Sequence, residues 1–61
     1  MDYRTIENIY DNWANGNLRI ARNMIKNKNK KFLLDFIYFL IDDVGIEFKD
    51  ALKVAKDICE D

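Results

Sequence analysis

Between Phe32 and Val44 the apolar residues Phe32, Leu33, Phe36, Ile37, Leu40, Ile41 and Val44 form an unbroken i, i+3, i+4 stripe, the period of one face of an α-helix. Leu34 and Tyr38 widen that face to roughly 240° of arc on a helical wheel. A helix this apolar has to sit at the centre of a bundle or be shared between subunits. A buried strand is the competing reading, because aromatic and β-branched side chains are dense here. The length of the pattern and the absence of a partner strand decide for helix. Gly45 stops it, and Ile46 is placed to touch Ile41 in a Schellman ending. The spacing thus predicts a helix over about 30–44.

Three further helices follow from the same period. Tyr3, Ile6, Ile9, Tyr10 and Trp13 predict a first helix over about 3–14, with Asp2 as its cap and Met1 stapled over Ile6. The Asn15-Gly16 step after it resembles a hairpin turn, but a hairpin needs period-two alternation on both sides. Helical spacing flanks it instead, so Gly16 ends one helix in a left-handed conformation and Asn17 caps the next. Leu18, Ile20, Ala21, Met24 and Ile25 predict that second helix over about 18–27, with Trp13 locking the corner. Asn27 or Asn29 is available to cap the central helix. Phe48, Ala51, Leu52, Ala55, Ile58 and Cys59 predict a last helix over about 47–59. The expected fold is one all-α domain, 1–61, a compact bundle of four short helices.

A chain of 61 residues buries only about 60% of the surface its unfolded form exposes, so its core must be efficient or shared. With Cys59 alone and no histidine there is no internal disulfide and no Cys/His zinc site. A reducing cytoplasm suits it. The longest apolar run, Phe32 to Ile41, is interrupted by Asp35 and is about half a membrane span. No signal peptide is recognised ahead of it, and a soluble protein is expected.

Catalysis has little to work with. Histidine and serine are absent, removing the common neutral-pH base and a common nucleophile. Asp35, Asp42 and Asp43 lack EF-hand spacing, so they read as a solvated face rather than a metal site. No enzyme activity, cofactor or metal is expected. Charge is strongly segregated: residues 1–15 carry −2, residues 16–31 carry +6, and residues 32–61 carry −5. The six cations Arg19, Arg22, Lys26, Lys28, Lys30 and Lys31 could meet phosphates or an acidic protein surface, or simply face solvent. Residues 39–56 also have a helix-Gly-helix form like a helix-turn-helix. The would-be recognition helix carries Glu47, Asp50, Asp57, Glu60 and Asp61 against three lysines, which argues against DNA readout there.

Phe39 falls on the wheel among Asp35, Asp42 and Asp43, on the polar side of the central helix. It reads either as an isolated exposed aromatic or, with Leu34 or Tyr38 beside it, as the anchor of a partner contact. The acids around it would favour a basic partner surface.

The stretch Tyr10 to Leu40, with its Trp-x-Asn-Gly-Asn motif at Trp13 to Asn17, a lysine-rich step and an apolar helix, resembles small uncharacterised proteins of tailed phages and their hosts. The resemblance implies a phage accessory product acting in the host cytoplasm. The expected function is a noncatalytic binding protein that inhibits or modulates a host protein or nucleoprotein complex, a defence enzyme among the options, with homodimerisation through the central helix. A small nucleic-acid-associated regulator using the basic face is the alternative.

Overall fold

The structure, a computed structural model, describes residues 3–59. Helices α1 (Tyr3–Ala14), α2 (Leu18–Ile25), α3 (Lys30–Phe39) and α4 (Phe48–Cys59) follow one another, with a π-helical turn, Leu40–Val44, prolonging α3. The all-α bundle is thus the observed architecture, in a molecule 24 × 23 × 18 Å. The helix α2 ends at Ile25 rather than 27, and α4 starts at Phe48 rather than Glu47. The expected cap at Asp2 and staple at Met1 lie outside the described residues.

Gly16 has φ +83. Its N–H donates to the Trp13 carbonyl at 3.1 Å and the Asn17 N–H to the Asn12 carbonyl at 2.7 Å, the paired bonds of a Schellman ending. That ending overrides the expected role of Asn17. As the third residue past α1 it is held at φ −91, ψ 59 and makes no side-chain cap bond to α2. An N-cap needs extended backbone, and Asn17 instead donates its amide to Asn12 Oδ1 at 3.4 Å. Asn29 is free of such a constraint. At φ −84, ψ 175 its Oδ1 accepts from the Phe32 N–H at 2.9 Å and caps α3.

At the other end of α3, Gly45 is left-handed, φ +86, but the expected Schellman pairing is replaced. The N–H groups of Gly45 and Ile46 both donate to the Leu40 carbonyl, at 2.9 and 3.1 Å, a wider closure than the bond from Ile46 to Ile41 that a Schellman turn makes. The reason lies in Asp43. An unbroken α-helix would bring it, seven residues after Phe36, back to within about 20° of that core position. Phe36 is fully buried, and a carboxylate there would be desolvated without a partner. The π turn, with its extra residue, leaves Asp43 exposed.

The core draws on every helix: Ile6 and Ile9 from α1, Ala21 and Ile25 from α2, Phe36, Ile37 and Phe39 from α3 with Leu40 of the π turn, and Ala51, Val54, Ala55 and Ile58 from α4. Among the described residues no polar or charged side chain is buried. The helix α4 packs on α2 and α3, and α1 packs chiefly on α2. Several residues expected inside are outside. Ile20 and Cys59 each sit about 100° round the wheel from a buried neighbour, Ala21 and Ile58, and both are exposed. Phe48 opens α4 beyond the cover of other helices and is 60% exposed, while Val54 takes an inward position instead. The wide arc of the central helix is covered by the other three helices except at Leu34 and Tyr38.

Candidate functional site

Two concave surfaces carry the residues singled out from sequence. The first is a groove of about 200 Å³ lined by Tyr3, Asp35, Tyr38, Phe39, Asp42 and Asp43. Asp35, Tyr38 and Asp42 lie three and four positions apart on α3 and the π turn, so one helical face presents them together. Tyr3 joins them from the start of α1, and nothing in the chain's local pattern indicates this partnership. Asp42, Asp43 and Tyr38 are exposed, and Asp35 is half-buried.

Phe39 requires a correction. It is 9% exposed, so it is not a free anchor. The aromatic face of α1 lies across this side of α3, and the Phe39 ring meets Tyr3 edge-on at 5.5 Å and 77° and Tyr10 at 5.9 Å and 64°. Such edge-to-face pairs add to the stabilisation from burial alone. Phe39 is therefore the fixed floor of the groove, and the side chain that reaches solvent is its neighbour Tyr38, 59% exposed. The aromatic row continues from Tyr10 to Trp13, at 6.2 Å. Trp13 is half-buried, and its Nε1 donates to Asp57 Oδ2 at 2.8 Å, so it ties α1 to α4 as well as packing at the α1–α2 corner.

The second surface is a cleft of about 590 Å³ between α2, the segment after it and the end of α4. Arg19, Arg22, Lys26 and Lys28 supply its charge, Asn23 and Asn27 its amides, and Ile25, Leu33 and Ile58 its apolar floor, with Cys59 at one edge. Among the described residues no carboxylate lines it. Arg22 also has a structural duty: its Nε and Nη2 donate to the Asp57 carbonyl at 3.3 and 2.9 Å, satisfying an acceptor in the last turn of α4, where a cation is favoured by the helix dipole. The Lys28 ammonium lies 5.3 Å from the centre of the Phe32 ring, within cation–π reach. Lys30 and Lys31 are exposed on the first turn of α3 and do not line the cleft. Two cations there oppose the α3 dipole at a cost of about 0.3–1 kcal/mol each, so helix stability does not account for them.

Partial burial pushes the Cys59 thiol up from its ordinary pKa, which keeps it protonated near neutrality and makes it a poor nucleophile. Among the described residues no three acids or thiols gather closely enough to hold a metal ion, and no helix is long and apolar enough to cross a membrane. No protein-family model, curated protein or solved structure matches the chain.

Proposed function

We propose that this protein is a noncatalytic binding module that docks onto a basic surface of a larger macromolecule through the groove of Tyr3, Tyr38, Asp35, Asp42 and Asp43. The observation that carries this reading is the convergence of three carboxylates and two exposed tyrosines, 41% exposed at Tyr3 and 59% at Tyr38, over a floor that two rings hold in place. Tyrosine offers a large contact area with few rotatable bonds and is enriched at binding hot spots. Carboxylates beside it select a cationic counterpart and speed encounter with it. The resemblance of Tyr10 to Leu40 to small tailed-phage proteins supports an accessory role in the host cytoplasm. There the target would be a host protein or nucleoprotein, and the nucleic-acid-binding surface of a defence enzyme has the required positive charge. Leu34, 54% exposed one turn before Tyr38, supports a second use of the same helix, pairing with another copy of the chain.

Titration of isotope-labelled protein with an arginine-rich peptide, followed by amide chemical shifts, tests the groove. The largest shifts are expected at Tyr3, Asp35, Tyr38, Asp42 and Asp43. Equal shifts at Glu47 and Asp50 would mean that the peptide senses negative charge alone.

A further inference from the structure

We infer that the basic cleft is a second, separate binding site, and that it takes the phosphodiester backbone of single-stranded nucleic acid. Four of the six cations of residues 16–31 line one concavity that no acid among the described residues lines, while Asp35, Asp42 and Asp43 gather at the other groove. This polarity orients a polyanion toward the cleft and away from the groove. Arg19 and Lys26 are seven residues apart on α2 and its C-cap, about 10 Å along the axis. That separation is enough to hold more than one phosphate of a strand at once. Lys30 and Lys31 extend the charge beyond the cleft onto α3, in a place that the helix dipole disfavours. The charge is thus a track rather than a pocket for one small anion.

The lining favours nucleic acid over an acidic protein. Below the cations lie Ile25, Leu33 and Ile58, an apolar floor against which a base can leave water. Asn23 and Asn27 each bring a donor and an acceptor to the same wall, the pairing that base edges use. The concave shape and the apolar floor suit a strand whose bases are unstacked rather than a convex duplex.

Fluorescence anisotropy of a labelled single-stranded oligonucleotide, titrated over a range of salt, tests the site. Binding is expected at low salt with a log–log salt slope of about −3, the value for four phosphates released from a single strand. Arg19→Ala and Lys26→Ala should each weaken binding and reduce the slope by about 0.7. Lys49→Ala with Lys53→Ala, on the exposed side of α4, should leave both unchanged. Absence of binding at low salt, equal loss from the α4 pair, or equal affinity for poly-glutamate or for duplex DNA would overturn the proposal. Circular dichroism identifies any variant that has merely unfolded, and Lys26→Gln is a second probe of the same charge. Because the groove of Asp35, Asp42 and Asp43 is untouched by these substitutions, failure here leaves the proposed partner contact standing.

Discussion

Gly16 and Gly45 hold φ +83 and +86, with open space where a Cβ would stand. The cost of a side chain there is therefore backbone strain alone, and Gly16→Ala should destabilise by about 1 kcal/mol in chemical denaturation. Cys59 makes a prediction about pH. A thiol whose folded pKa is raised adds stability that is complete below the unfolded pKa and is lost as pH rises through the folded value. Alkylation of Cys59 near neutral pH should be slower than that of free cysteine, and Cys59→Ser should remove this alkaline component of the stability curve. The left-handed Gly16 was legible because an Asn-Gly step between two helical patterns leaves few alternatives, and Gly45 because it stands where the apolar stripe of the central helix stops. The bond from Trp13 to Asp57 and the cover over Phe39 were not, because each joins helices far apart in sequence. No periodicity in either segment encodes them.

The two asparagines at helix starts show how an element's neighbour decides its cap. Asn29→Ala should cost about 1 kcal/mol, because it removes the acceptor for the Phe32 N–H. Asn17→Ala should cost clearly less, because Asn17 caps nothing and belongs to the end of α1. Urea unfolding of the two variants side by side checks the contrast. The period of the apolar residues located all four helices, since burial of one face is what the period records. It missed the π turn, which appears only once Asp43 is seen to come round toward the buried Phe36. It also overcounted the inward faces of α2 and α4 at Ile20, Phe48 and Cys59, where the position of neighbouring helices, not local sequence, sets the edge of the buried stripe.

As a whole the molecule is a small core with two surfaces of opposite charge. Proteins hold about 0.05–0.15 kcal/mol per residue, which for this chain is of order 3–9 kcal/mol. Phe36 is fully buried, and Phe36→Ala should cost about 3–5 kcal/mol, a third of that stability or more, read as a lowered midpoint of urea unfolding. Tyr38, on the adjoining turn, should tolerate alanine with the fold intact. That separation of core from surface is what makes a binding role testable here. The charge segregation was visible along the chain, and the structure turns it into places: a groove that gathers Asp35, Tyr38, Asp42 and Asp43 with Tyr3, and a cleft that gathers four of the six cations. The most direct test of the binding role is paired affinity capture from bacterial extract. Wild-type protein is compared with a Tyr38→Ala, Asp42→Lys, Asp43→Lys variant of verified fold, and bound proteins are quantified by mass spectrometry. A basic protein retained by the wild type and lost by the variant is the predicted result; the same proteins held equally by both would contradict it.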